Sequence, residues 1–258
     1  MSPQLELATE GHLAFLRLQR PEKLNALTPE MLEGIEEAVA AVEANDAIRV
    51  LLLQAEGERA FCVGADIGAW AGLEPRDMWR RWTARGHRVF ERLARLRQPV
   101  VALVQGYAFG GGLELALAAD LRLGTDATQC AMPEVGIATL PGWGGTARLP
   151  ALIGPARAKQ MVFSGERVGA ETAVSWGLLN EAVEAGRLEE RGRELAEAIA
   201  AKAPLAVQLA KQVMDAGAGH GSAAALEGIA GGLSAASADA AEGLAAYREK
   251  RLPDFEGK

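Results

Sequence analysis

The chain has 258 residues, 49 % apolar and 24 % charged, with 27 basic against 34 acidic side chains and a net charge of −7. This is the composition of a globular protein with a core rather than of a disordered chain, and its acidic balance argues against nucleic acid, whose phosphates call for clustered Lys and Arg. No apolar run reaches the ~18 residues of a membrane span, and Met1 to Glu10 lacks the cationic start and apolar block of a signal peptide. Two cysteines, Cys62 and Cys130, are too few for a disulfide framework or a four-thiolate zinc site. The expectation is a soluble cytoplasmic protein that binds neither nucleic acid nor membrane.

Residues 4–8 and 12–18 are apolar-rich runs around Glu10-Gly11 and predict a hairpin. A polar loop, Arg20 to Leu27, leads to Thr28-Pro29, an N-cap followed by proline at the first helical position. Leu32, Ile35, Val39 and Val42 then step at helical spacing as far as about Ala44. Ile48–Leu53 predicts a strand buried on both faces, Ala55–Gly68 a loop, and Pro75–Arg97 a second helix. Pro99–Val104 predicts another buried strand, Gly106–Gly112 a loop, and Leu113 the start of a short helix; Leu121–Leu123 and Gln129–Ala131 read as short strands. Strand and helix alternating in this order point to parallel pairing with crossovers. Beyond about residue 155 the pattern is mainly helical, with starts at Pro155 and Pro204 and stops at Gly177 and Gly217. Leu226, Ile229, Leu233 and Leu244 suggest weak helices within an Ala-, Gly- and Ser-rich stretch, packing closely through small residues.

Thirty glycines are more than an average share, and they cluster at 106–112 and 142–145, between apolar segments. Such backbone adopts conformations other residues resist or lies close to something else. Phe61-Cys62-Val63-Gly64-Ala65-Asp66-Ile67 reads as a strand-to-helix turn capped by Asp66, or as a loop whose amides face an anion. In Gly106 to Glu114, successive glycines place unpaired amides at the positive end of a short helix. Glu114 there is either a surface glutamate complementing the dipole or, among Leu113, Leu115, Ala116 and Leu117, a buried functional carboxylate. Glu134, after Pro133, is a helix-start residue or the second carboxylate of a pair. Two carboxylates in one pocket suit addition or removal of water, one deprotonating the water and the other delivering a proton. No dinucleotide or phosphate-loop fingerprint is present.

Taken together, the Arg20–Leu27 loop, Gly64-Ala65-Asp66-Ile67, Gly106–Glu114, Pro133-Glu134 to Gly145, Phe163-Ser164-Gly165-Glu166 and Tyr247 to Phe255 resemble the crotonase superfamily, specifically its enoyl-CoA hydratase branch. The resemblance implies an α/β fold, a spiral of β-β-α turns over residues 1–195 that holds the active site, and a helical region, 196–258, that builds homotrimers or hexamers. It implies reversible hydration of a trans-2-enoyl-CoA thioester, with a double-bond isomerase or a non-catalytic acyl-CoA binder as alternatives. It assigns the oxyanion-holding amides to Ala65 and Gly111, the catalytic glutamates to Glu114 and Glu134, and a further water contact to the backbone of Gly142. Lys23 and the loop around Ala26 match the region that receives the CoA nucleotide. Asp66 and Ile67 match the substrate-contacting loop, and Tyr247 and Lys250 match positions reaching a neighbouring subunit's CoA. It implies no metal or redox cofactor, coenzyme A being part of the substrate.

Trp70, Trp79 and Trp82 lie just past the oxyanion loop and read as core packing or as the wall of an acyl pocket, Trp70 foremost. Residues 76–97 carry eight arginines against Asp77 and Glu91, either a solvated face balanced by acids elsewhere or an attraction for CoA phosphates or an acidic partner. His12, His87 and His220 share no motif with Cys62 or a serine, so a Cys–His hydrolase is a weak alternative.

Overall fold

A computed structural model describes residues 2–216 and 220–258, with side chains described at all of these except 220–225. The expected hairpin is present: β1 (Leu5–Glu10) and β2 (Leu13–Leu18) pair antiparallel, Leu5 opposite Leu18 and Leu7 opposite Leu16. Thr28 Oγ1 accepts from the Met31 amide at 3.2 Å and starts α1 (Pro29–Glu43) at the predicted cap.

Three turns of chain then each give one strand to a large sheet and the next to a small one. These are β3 (Val50–Ala55) with β4 (Ala60–Cys62), β5 (Val100–Val104) with β6 (Tyr107–Phe109), and β7 (Leu121–Thr125) with β8 (Gln129–Ala131). The large sheet has the order β1-β2-β3-β5-β7-β10, its last strand being Glu181–Val183, and is parallel from β2 onward. The small sheet has the order β4-β6-β8-β9, ending on Val168–Gly169. Between β4 and β5 the chain forms α2 (Ile67–Trp70), α3 (Pro75–Asp77), a π-helical segment Met78–Thr83 and α4 (Ala84–Ala94), and between β6 and β7 it forms α5 (Gly111–Leu117). They are followed by α6 (Gly145–Ile153), α7 (Pro155–Ser164) and α8 (Ala170–Ser175).

The central strands β3 and β5 of the large sheet are buried on both faces, which is why they read as continuous apolar runs. Leu51 and Leu53 face one core, with Phe61, Phe90, Leu115 and Trp143; Val50 and Leu52 face a second, with Leu103, Leu123 and the helix α9 (Leu188–Ala200). The expected boundary at 195/196 falls inside α9, whose Leu188, Ala196 and Ala200 all pack on the sheet; the chain leaves it only at the turn before Pro204. There α10 (Pro204–Asp215) is pinned back by Lys211, whose Nζ donates to Asp120 Oδ2 at 2.8 Å and to the Gln98 carbonyl at 3.2 Å.

Several expectations need correction. The loops predicted at 55–68 and 106–112 contain β4 and β6, three-residue strands too short to show an alternating pattern. The strand predicted at 48–53 lies at 50–55, and the helix predicted at 75–97 ends at Ala94 and is interrupted by its π-helical stretch. In α11 (His220–Ala235) and α12 (Ala238–Glu249), Ile229, Leu233 and Leu244 are exposed rather than packed. Gly217, the predicted stop, lies outside the described residues. Five of the eight arginines pair with acids, Arg81 with Asp77, Arg85 with Glu33, Arg92 with Glu43, Arg95 with Glu91 and Arg97 with Asp46, while Arg80 lies over the Trp79 ring. These pairings fit the solvated, charge-balanced face for that part of the row. Among the described residues, no helix is long and apolar enough to cross a membrane.

Candidate active site

The small sheet delivers its strands to one place, and the residues after each strand form the site. After β6 the chain turns at Gly110 (φ 52°), a left-handed conformation suited to glycine, and enters α5, all of whose residues are buried. Glu114, 2 % exposed, sits in this helix. Its Oε1 accepts from the amides of Trp143 at 2.7 Å and Gly145 at 2.8 Å, at the start of α6. Burial raises its carboxyl above the ordinary range, while the amides of Gly145, Trp143 and Gly142 and the charge of Arg148 oppose that rise. Gly142, expected to contact the water, lies close enough for its amide to act on Glu114.

After β8 the chain reaches Glu134, the first residue of a 3₁₀ turn, Glu134–Ile137. Both carboxyl oxygens are shut off from solvent and have no hydrogen-bond partner. Burial pushes this carboxyl up to about 7, opposed by its own amide and helped by the charge of Glu114. A Cβ on Gly110 would stand 3.1 Å from Glu134 Oε1, and the Glu114 amide bonds the Gly110 carbonyl at 2.9 Å. One helical turn therefore separates the point Glu134 touches from Glu114 itself.

After β4 comes the third contribution. Leu27 pairs with this segment, its amide donating to the Gly64 carbonyl at 2.8 Å and its carbonyl accepting from the Asp66 amide at 2.9 Å. In extended backbone successive amides alternate sides, so the Ala65 amide points the opposite way, toward α5. A Cβ on Gly64 would lie 3.1 Å from the Gly111 nitrogen, and one on Gly111 would lie 3.5 Å from the Ala65 nitrogen. Gly111, opening its helix, has no carbonyl one turn earlier within it to bond. Two amides and two carboxyl groups drawn from three successive strand ends thus surround one spot.

The other expected residues are arranged around this cluster to different degrees. Asp66 has both oxygens engaged, Oδ2 by Arg20 at 2.6 Å and Oδ1 as the cap of α2 on the Gly68 amide at 2.9 Å. Arg20 also donates to the Ala26 carbonyl at 2.9 Å, which ties the Lys23–Ala26 loop to the Gly64–Ile67 segment. Lys23 is exposed at the end of its 3₁₀ turn. Ile67, 56 % exposed, and Trp70, half-buried with an unpartnered indole nitrogen, follow in α2. Trp82 belongs to the core, its ring 5.3 Å from that of Trp143, whereas Trp79 is exposed. Tyr247 is exposed on α12 and Lys250 caps that helix, so the chain does not bring them into the cluster. Surface hollows of about 420 and 410 Å³, both lined by Arg17, Gln54 and Glu189, contain none of these residues. Sequence reasoning missed the amides that hold Glu114 and the Arg20 tie. The glycine run at 142–145 was the only signal, and it does not say which carboxylate it serves.

The family model for enoyl-CoA hydratase/isomerase matches residues 8–258. The chain is 37 % identical to the crotonyl-CoA hydratase of Syntrophomonas wolfei over 254 residues, covering 98 % of this chain and 97 % of that protein. It is 35 % identical to the short-chain-enoyl-CoA hydratase of Clostridium acetobutylicum, over 95 % and 94 % of the two. The crystal structure of an enoyl-CoA hydratase from Bacillus anthracis superposes with a TM-score of 0.96 at 34 % identity, over 99 % of this chain and 100 % of that one. With a spiral of paired strands matched along its full length, the chain belongs to the enoyl-CoA hydratase/isomerase family of the crotonase superfamily.

Proposed function

We propose that the chain is a hydratase that adds water across the C2=C3 double bond of a trans-2-enoyl-CoA, giving the 3-hydroxyacyl-CoA. The observation that carries this reading is the pair Glu114 and Glu134 beside the amides of Ala65 and Gly111. Those amides receive the thioester carbonyl oxygen and stabilise the negative charge that grows on it as the enolate forms. Glu114 takes a proton from water as the oxygen attacks C3, and Glu134 gives its proton to C2; the reverse order in time gives dehydration.

The surroundings divide the two roles. Burial raises both carboxyls, but Glu114 Oε1 is held by the amides of Trp143 and Gly145 with Arg148 nearby, whereas no other residue donates to Glu134, which is pushed up to about 7. A carboxyl fixed by amides suits the orienting of a water, and one to which no neighbour donates suits the delivery of a proton. Lys23 and the Ala26 loop receive the CoA nucleotide, Ile67 and Trp70 flank the acyl chain, and Asp66 holds the loop in place. Tyr247 and Lys250 serve the site of a neighbouring copy in a homotrimer or hexamer. Crotonyl-CoA hydratase and short-chain-enoyl-CoA hydratase among the relatives point to a short acyl chain.

The test is loss of the conjugated absorbance of a short trans-2-enoyl-CoA. Glu114→Gln and Glu134→Gln are each expected to lower kcat by about 10²–10⁴. Binding without turnover would replace this reading by that of an acyl-CoA binder, and conversion of 3-enoyl to 2-enoyl thioester alone would replace it by that of an isomerase.

A further inference from the structure

We propose that Arg148, locked by Glu91, is a positioning residue that fixes the Gly142–Gly145 turn on Glu114; this rests on the hydratase reading for its kinetic consequence. The turn is gripped from two sides. On one side Glu114 Oε1 accepts the amides of Trp143 and Gly145. On the other, Arg148 Nη1 donates to the Trp143 carbonyl at 3.2 Å. The Nη1 end of the guanidinium packs directly against the turn, filling the place a Cβ on Gly144 (φ 112°) would take. Its other terminal nitrogen, Nη2, donates to Glu91 Oε2, while Glu91 Oε1 accepts from Arg95 Nε at 2.6 Å. Glu91 stands on α4, so the clamp ties the helix behind the site to the residue that faces the water.

The Trp143 ring completes the anchorage, buried between Trp82 and Phe90 at 5.3 Å from each. A guanidinium is suited to this work because its planar fork can serve a carboxylate and a carbonyl at once. Without it, the turn retains its side-chain anchor but loses the contact that fixes the tilt of the two amides. Reacting groups misplaced by on the order of 1 Å can lose about 10²-fold in rate. The charged groups in reach of Glu114 are Arg148 from α6 and Glu134 from the 3₁₀ turn; Arg148 in turn faces Glu91, beside which stand Arg95 and His87.

The experiment compares Arg148→Met, Arg148→Lys and Glu91→Gln with the wild type by two readouts. One is kcat and KM for enoyl-CoA hydration. The other is the titration of Glu114 by carboxyl ¹³C NMR, its signal identified by its loss in Glu114→Gln. Arg148→Met is expected to lower kcat about 10- to 100-fold with KM within about threefold, and to move the Glu114 titration to higher pH. Arg148→Lys, which keeps the charge without the fork, should restore most of the titration but only part of kcat. Glu91→Gln should act in the same direction as Arg148→Met and less strongly. A kcat within twofold of the wild type in Arg148→Met, or an unmoved Glu114 titration, overturns the proposal. If Arg148→Met does not fold, Arg148→Lys and Glu91→Gln decide by the same readouts. A wild type that hydrates nothing would sink the hydratase reading, while the titration would still decide the role of Arg148.

Discussion

Replacing Glu134 by glutamine is expected to stabilise the protein in alkaline solution while removing its activity. The folded chain keeps the Glu134 proton up to about pH 7, because its carboxyl is buried and no other residue donates to it. The unfolded chain releases that proton near the ordinary value of 4.5. Between those values the folded state binds more protons, so wild-type stability falls as pH rises through this window. The gap from 4.5 to about 7 corresponds to a ceiling of roughly 3 kcal/mol. The residue as a whole is only partly buried, and screening by solvent around it reduces this to about 1–2 kcal/mol. For a chain of this size that is a gain of roughly 2–8 °C in Tm for Glu134→Gln at pH 8.5, shrinking to about zero near pH 4.5. Thermal unfolding of both proteins at the two pH values and one protein concentration measures it directly. A difference that does not change with pH, or a variant less stable than wild type at pH 8.5, would refute the reasoning that burial without a partner holds the proton on Glu134.

Gly112→Ala should damage the fold rather than the chemistry, because its Cβ would stand 2.1 Å from the carbonyl oxygen of Cys62. A loss of at least 1–3 kcal/mol is expected, read as a fall in the denaturation midpoint; an unchanged midpoint would contradict the close approach of α5 to β4. Cys62 and Cys130 are buried, with both thiols pushed up to about 12. A thiol reagent at pH 8 should label neither in the native protein and both after denaturation. Fast labelling of the native protein would mean that the core between the sheets is open.

Much of the frame was legible because the central strands of the large sheet are covered on both faces, so that Val50–Ala55 and Val100–Val104 stand out as apolar runs. Burial of Glu114 was legible for a related reason, since leucines flank it on a helix too short to have a wet side. What holds Glu114 was not. The amides of Trp143 and Gly145 lie some thirty residues on, and only the packing of α6 against α5 brings them to it. The strands β4 and β6 were missed because three residues cannot display a period. The arginine row was ambiguous because three of its acids, Glu33, Glu43 and Asp46, lie on or just after α1, far away in sequence. The Arg20–Asp66 pair, too, joins two loops that only the fold makes neighbours.

The most direct measurement is a crystal structure of the protein with a bound acyl-CoA thioester that cannot be turned over. The two-amide account requires the thioester carbonyl oxygen to lie about 2.7–3.1 Å from the nitrogens of both Ala65 and Gly111, with C2 and C3 between Glu134 and Glu114. A thioester oxygen bound away from either amide, or an acyl chain that leaves both glutamates on one side of it, would contradict the account.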